Sequence, residues 1–409
     1  MNRMALLLAL AAVIAHAQDV PKSLYTEIEQ LEKELSRAHA PATMPSNLAI
    51  HFSPWRMFSS IRRRHSTEGR SKPYKSAASA EITMRRSVLF LLACLSLLGA
   101  NSRAAEPAKI ELMLLKTVTV TEEEFLRGSQ DGRPVTLAVE LRLPTAGTTR
   151  LPAVILLHGS GGISASNDRW VRELNDLGIA ALMVDSFTER GITNTVGAQG
   201  QLSELAVIID AYRAFDLLAK HPRIDATRIG LLGNSRGAVS ALYAGVKRFQ
   251  RMYAPTGADF AVYLSLYPPC SKTYIDDADV VDHPIRLFNG AEDDIAPLAP
   301  CLSYVKRLQS AGKDAQLTAY EGAYHAFDSP GTPLTRVRVG DSQARRGSCE
   351  LYEQPAGRIM NRQTGLPFTR NDECLKGVGT LGYDARAHAK VIADVTGLLQ
   401  RLFKLQPAR

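Results

Sequence analysis

The run Pro152-Ala153-Val154-Ile155-Leu156-Leu157 has no polar residue in six positions and stops at His158-Gly159-Ser160-Gly161-Gly162. A strand with one face in water alternates apolar and polar side chains. A strand without that alternation has to be buried on both faces, which is what a parallel sheet covered by helices on each side provides. The rest of the chain keeps to this plan from residue 112 onward. Leu112–Val120 and Val135–Leu143 alternate in places and are expected to open the sheet as an antiparallel pair. Further strands are expected at Gly178–Val184, Arg228–Leu232, Phe260–Leu266, Ile285–Phe288 and Gln316–Tyr320. Helices are expected at Asp168–Leu177, Gln201–Lys220, Ala238–Arg248 and Ala385–Phe403. Apolar positions in the second of these (Leu205, Ile208, Ile209, Tyr212, Leu217) follow a helical period. Strands alternating with helices define an α/β fold with a mostly parallel sheet. No internal repeat interrupts it.

Two regions stand outside the pattern. Around Phe327–Leu381 lies a long insertion rich in Gly, Arg, Pro and Thr, unusual within a compact domain and expected to be either functional or pinned by a disulfide. The other is the leader. Residues 1–17 combine a basic start, an apolar run and the small-residue site Ala15-His16-Ala17. A second set begins at Met84 with Arg85-Arg86, continues apolar from Ser87 to Ala100 and ends near Ala104-Ala105. Neither run reaches the roughly 20 apolar residues that cross a bilayer, so no span is expected in the mature chain. We expect translation to begin at Met84, residues 84–105 to be a signal peptide, and residues 1–83 to be a disordered leader outside the natural protein, apart from a short helix at Ser23–Arg37. The main domain would then be residues 106–409.

Charge supports this division. The chain of 409 residues carries +8 formally, but residues 1–105 hold 14 Lys and Arg against 7 Asp and Glu. Residues 106–409 hold 35 against 34. The main domain therefore has no basic footprint for nucleic acid. Four cysteines lie within it, Cys270, Cys301, Cys349 and Cys374, and none has the close spacing of a zinc site. Three pairings are open, and four free thiols are the alternative. The sequence-near pairs Cys270–Cys301 and Cys349–Cys374 are favoured, each contributing about 3 kcal/mol if unstrained. Disulfides and a signal peptide both point to export, to a periplasm or the outside.

Chemistry concentrates at Gly233-Asn234-Ser235-Arg236-Gly237. A serine nucleophile has to project from a tight strand-to-helix turn, and glycines two before and two after leave room for strand and helix to approach. The five letters alone would also fit a glycine-lined turn with a surface serine. Here an apolar strand precedes them and a helix follows. A serine needs a base, and the base needs a carboxylate that fixes its tautomer. Three histidines follow Ser235. His283 precedes Pro284 at the wrong end of a strand, and His388 sits within the last helix, which leaves His325, just past the strand at Gln316–Tyr320. The acid is expected in Asn289-Gly290-Ala291-Glu292-Asp293-Asp294, with Asp293 ahead of Asp294. Asp294 could instead cap the helix that Pro297 begins. Oxyanion donors are expected from the amide of Arg236 and from Ser160 or Gly161 after the third strand.

Taken in series, these segments resemble the dienelactone hydrolase family, within the α/β-hydrolase fold. The resemblance rests on His158 to Gly162, Asp185-Ser186-Phe187 with Arg190-Gly191, Asp210-Ala211-Tyr212, and His221-Pro222-Arg223-Ile224-Asp225. It continues through the serine elbow, Tyr267-Pro268-Pro269-Cys270, Gly290 to Asp294 with Pro297 and Cys301, and Tyr324-His325-Ala326-Phe327. Late in the chain, Gly382-Tyr383-Asp384 and Ala387-His388-Ala389 resemble exported members. One departure matters: the enzyme that names the family uses cysteine as nucleophile, where Ser235 stands here. The resemblance therefore implies cleavage of a small or medium carboxylic ester, or a lactone, through an acyl-serine, without a cofactor, but not the dienelactone substrate itself. A prolyl-peptidase-like enzyme shares this topology but carries a large extra β domain that residues 18–105 could not build. A non-catalytic binding protein on the same fold would have no need of Ser, Asp and His in consistent order.

Overall fold

A computed structural model describes residues 109–254, 257–338, 349–375 and 377–405. Both signal-like segments and the Ser23–Arg37 helix lie outside them.

The chain begins with β1 (Lys109–Thr119), a short helix α1 (Glu122–Leu126), and β2 (Arg133–Leu143), which pairs antiparallel with β1. The sequence reading missed α1. A capping box starts it, with Thr121 Oγ1 accepting from the Glu124 amide and the Glu124 carboxylate accepting from the Thr121 amide. Next come β3 (Leu151–Leu157), α2 (Ala165–Asp176), β4 (Ala180–Val184), α3 (Glu204–Ala219) and β5 (Ile224–Asn234). After the elbow follow α4 (Arg236–Tyr243), α5 (Lys247–Tyr253), β6 (Val262–Leu266) and the two-residue β7 (Lys272–Thr273). The domain then runs through β8 (Ile285–Gly290), α6 (Leu298–Ser310) and β9 (Ala315–Tyr320). Beyond it lie β10 (Thr335–Arg338), β11 (Leu351–Gln354), β12 (Arg358–Asn361), β13 (Val378–Leu381) and α7 (Ala385–Leu402).

Eight strands form one sheet in the order β1-β2-β4-β3-β5-β6-β8-β9, parallel from β4 onward. Its central strand explains the uninterrupted apolar run. Ala153, Ile155 and Leu157 of β3 pack into a core shared with α3, α4, α5 and α6, while Val154 and Leu156 point into the opposite core shared with α2 and α7. Every side chain from Ala153 to Leu157 is buried. Burying a residue of this size removes about 1.5–3 kcal/mol of unfavourable hydration, so one polar substitution on either face would be felt.

The single helix expected at Ala238–Arg248 is in fact two. Val246 takes an extended conformation, and the backbone there pairs sideways. Val246 bridges Val280, the Lys247 amide donates to the Asp279 carbonyl, and the Val281 amide donates to the Gly245 carbonyl. The Lys247 amide and the Gly245 carbonyl are thereby drawn out of the helical ladder. β5 is also longer than expected, starting at Ile224, with a register shift opposite Leu151–Ala153.

The insertion after β9 has structure of its own. β10 pairs with β13, while β11 pairs with β12 on one side and runs parallel to β7 on the other. Cys349–Cys374 closes within it, and Cys270–Cys301 ties the segment after β6 to the first turn of α6. These are the two favoured pairings. Among the described residues, no helix is long and apolar enough to cross a membrane.

Candidate active site

β5 delivers Ser235 at the C-terminal edge of the sheet. Its backbone is held at φ 53° and ψ −114°, a region that non-glycine residues rarely occupy and that costs of order 1–3 kcal/mol unless the surroundings enforce it. The enforcement is steric and hydrogen-bonded. A Cβ on Gly233 would lie 2.1 Å from the Gly237 carbonyl oxygen, and one on Gly237 would lie 2.3 Å from that of Leu157. Only glycine at both positions lets α4 fold back so closely on β5 and β3. The Ser235 amide donates to the Leu266 carbonyl at 2.9 Å, which anchors the turn to β6.

Two loops complete the cluster. Ser235 Oγ stands 2.9 Å from His325 Nε2, and His325 Nδ1 stands 2.8 Å from Asp293 Oδ2. With Nδ1–H donating to the carboxylate, Nε2 keeps a lone pair for the serine proton. The second Asp293 oxygen accepts from the amides of Ile295 and Ala296 at 2.9 and 2.7 Å. Both oxygens are thus occupied, and the carboxylate has one orientation. Asp293 and His325 are 4% and 5% exposed, so water competes little for their contact.

Asp294 faces elsewhere and caps no helix. Its oxygens accept from the amide and hydroxyl of Thr380 on β13 at 2.6 and 3.1 Å. The same strand reaches the histidine loop, where Leu381 bridges His325 and the Gly382 amide donates to the His325 carbonyl. The insertion therefore clamps both the acid loop and the histidine loop. His283 lies apart, partly exposed beside Asp259 at 2.9 Å, and His388 is on α7 beside the Tyr383 hydroxyl at 3.1 Å.

A cavity of about 290 Å³ opens over Ser235 and His325. Ser160 and Gly161 line it, lifted by a turn in which the Gly162 amide donates to the Gly159 carbonyl at 3.1 Å. Arg236 starts α4, so its amide belongs to a helix N-terminus beside the hydroxyl. His158 braces the turn from below. Its Nε2 accepts from the Ser186 amide at 3.2 Å, and burial lowers its pKa below that of a free histidine. The far walls come from the segment between β4 and α3, which supplies Val196 and Gln199, and from the insertion, which supplies Val337, Phe368 and Leu381.

Charge gathers at one end of the cavity. The Arg236 guanidinium, 3% exposed, donates to Gln199 Oε1 at 2.8 Å and lies 3.3 Å from Glu204 Oε1. Lys272 pairs with Glu122, and Arg370 comes from the insertion. Burial works against ionisation of Glu204, but the charges of Arg236, Lys272 and Arg370 outweigh it and hold that carboxyl at about 2. None of these side chains was singled out in the sequence for its own charge, because they converge from five separate segments. The sequence reading also missed Asp328. It lies three residues past His325, fully buried, and accepts hydrogen bonds from Tyr267, Trp170 and Ser166. Among the described residues, no cluster of three or more His, Cys, Asp or Glu side chains could hold a metal ion.

The sheet order, the strained serine on its strand-to-helix turn and the histidine and carboxylate on later loops define an α/β-hydrolase. Residues 138–356 match the model of the dienelactone hydrolase family, and the chain belongs to that family. Over 187 residues it is 28% identical to a Bradyrhizobium protein named "probable 2-oxo-3-(5-oxofuran-2-ylidene)propanoate lactonase", spanning 44% of this chain and 75% of that one. Solved structures are similar at lower identity. A dienelactone hydrolase-like promiscuous phosphotriesterase from metagenomic libraries is 17% identical, with a TM-score of 0.45, over 72% of this chain and 98% of that one. An esterase of Thermogutta terrifontis is also 17% identical, with a TM-score of 0.39, over 48% and 80% of the two chains.

Proposed function

We propose that this protein hydrolyses carboxylic esters or lactones through an acyl-serine intermediate, with Ser235 as nucleophile, His325 as general base and acid, and Asp293 as the carboxylate that orients it. The observation that carries this reading is the continuous relay from Ser235 Oγ through His325 to Asp293, with contacts of 2.9 and 2.8 Å. His325 Nε2 takes the hydroxyl proton as Oγ attacks the acyl carbon. The tetrahedral oxyanion is held by the amide of Arg236 and by that of Ser160 or Gly161. His325 then gives its proton to the leaving alkoxide, and a water activated by the same nitrogen releases the acid. The route needs no metal or cofactor. Family membership and the relative named as a lactonase support substrates with an activated acyl carbon, open or cyclic.

We also propose that the protein works after export. Two disulfides are at home in an oxidising compartment, and residues 84–105 read as the signal that would take it there.

Turnover of p-nitrophenyl esters and a panel of lactones by the purified chain and its Ser235→Ala variant tests the assignment. The variant should lose at least about 10^4-fold in kcat while keeping its fold. Full activity in the variant would end the reading.

A further inference from the structure

Three residues past His325 lies a second buried carboxylate that the acyl-serine scheme leaves without a task. Asp328 is 1% exposed. One oxygen accepts from the Tyr267 hydroxyl at 2.7 Å; the other accepts from the Trp170 indole N–H at 2.7 Å and from the Ser166 hydroxyl at 3.1 Å. All three donors are neutral. Burying a carboxylate without a cation is costly, and a neutral amide could accept two of these hydrogen bonds. What it could not supply is the charge.

Tyr267 links that charge to the reacting imidazole. Its ring packs edge-to-face on His325 with centroids 4.7 Å apart, and Phe327 packs edge-on against its other side at 5.5 Å. The tyrosine is fixed from both ends. Its amide donates to the Phe288 carbonyl at 2.7 Å, and its backbone sits at φ 44°, in the left-handed region that costs a tyrosine free energy. The Phe288 carbonyl, the two ring contacts and the Asp328 hydrogen bond all meet the tyrosine at that position.

From this arrangement we infer that Asp328 is a positioning residue for the hydrolytic reaction: through the Tyr267 hydroxyl it holds the tyrosine ring against His325 and adds a second negative charge that favours the imidazolium formed in the transition state. The inference rests on the triad reading above. Several groups set the field around His325. Asp293 meets it from the loop after β8, with Asp294 beyond it on Thr380. Ser235 and Arg236 line the cavity with it, and Tyr267 packs on its ring with Asp328 at the tyrosine hydroxyl. On the Asp328 side, α7 contributes His388, with Arg169 and Glu173 of α2 acting on that histidine in opposite senses. Burial holds the pKa of His388 below the ordinary value, against the charge of Asp328, which raises it.

The sign of the effect follows directly. A nearby negative charge raises the pKa of a histidine. His325 has to be neutral to accept the serine proton, so deleting the charge of Asp328 moves the acid limb of activity to lower pH. Asp328→Asn, Tyr267→Phe and the double variant should be assayed for kcat, KM and the pH profile of kcat/KM on one p-nitrophenyl ester. Asp328→Asn is expected to lower kcat about tenfold with KM within about twofold, the pattern of an interaction felt in the transition state. Its acid limb should move to lower pH. The double variant should be no worse than Asp328→Asn alone, because both changes break one relay. If Asp328→Asn does not fold, Tyr267→Phe, which keeps the ring and loses only the hydroxyl, carries the test with a severalfold fall in kcat at unchanged KM. A lowered melting temperature with an unmoved pH profile and unchanged kcat would overturn the inference, as would additive losses in the double variant. Those outcomes would leave the triad intact as long as Ser235→Ala is inactive, so the two readings fail separately.

Discussion

Asp293 and Asp294 are adjacent in the chain yet turn their carboxylates to different partners. Asp293 meets His325 Nδ1 at 2.8 Å, while Asp294 accepts from both the amide and the hydroxyl of Thr380. The first fixes an imidazole, and the second fastens β13 of the insertion to the acid loop. Their substitutions should therefore separate. Asp293→Asn should lower kcat by about 10^4-fold through loss of the correct tautomer. Asp294→Asn should cost no more than about tenfold, with most of its effect on thermal stability. Steady-state kinetics and melting curves on the two variants check this, and a larger kinetic loss in Asp294→Asn would reverse the assignment.

The insertion is expected to act as a pocket wall that depends on its disulfide. Cys349–Cys374 closes a separation of 25 residues, and Phe368, Arg370 and Leu375, which line the cavity, lie within or beside that loop. Replacing both cysteines with Ser should cost about 3 kcal/mol in urea unfolding. It should also raise KM more than it lowers kcat, since the wall binds substrate and does not touch the reacting atoms. An unchanged KM would show that the wall keeps its shape without the bridge.

Glu204 should leave a signature in acid. Its folded pKa, about 2, lies below its ordinary value of 4.5 because the charges of Arg236, Lys272 and Arg370 overcome the effect of burial. A depressed carboxyl pKa stabilises the fold above the unfolded value, and that stabilisation is lost as pH falls through the folded one. The stability gap between the wild type and Glu204→Gln should therefore be full above about pH 4.5 and shrink toward pH 2. Urea titrations at stepped pH measure it. A gap that stayed constant across that window would mean that Glu204 contributes through packing alone.

Much of this architecture was legible in the chain because single residues carried the information. The six apolar residues of β3 could only be buried on both faces, and they are. The order Ser235, Asp293, His325 and their places after successive strands singled out the three groups that the structure brings within hydrogen-bonding distance. Information held in pairs of distant segments was not legible. Ala238 to Arg248 reads as one helix until Val280 arrives to pair with Val246. β7 is two residues long and exists only because β11, some eighty positions later, lies beside it. Asp328 and Tyr267 each look like ordinary residues near a motif, and their relationship spans 61 positions. No local period records such contacts.

In the proposed reaction Ser235 Oγ is the atom that takes the acyl group. The most direct test is a p-nitrophenyl alkylphosphonate, from which the serine oxygen displaces coloured p-nitrophenolate as the phosphorus–serine bond forms, followed by mass spectrometry of the digested protein. Stoichiometric release, complete loss of esterase activity and the phosphonyl mass on the peptide that contains Ser235 are expected. Inactivation with the adduct on any other residue, or full activity in a chain labelled at Ser235, would contradict it.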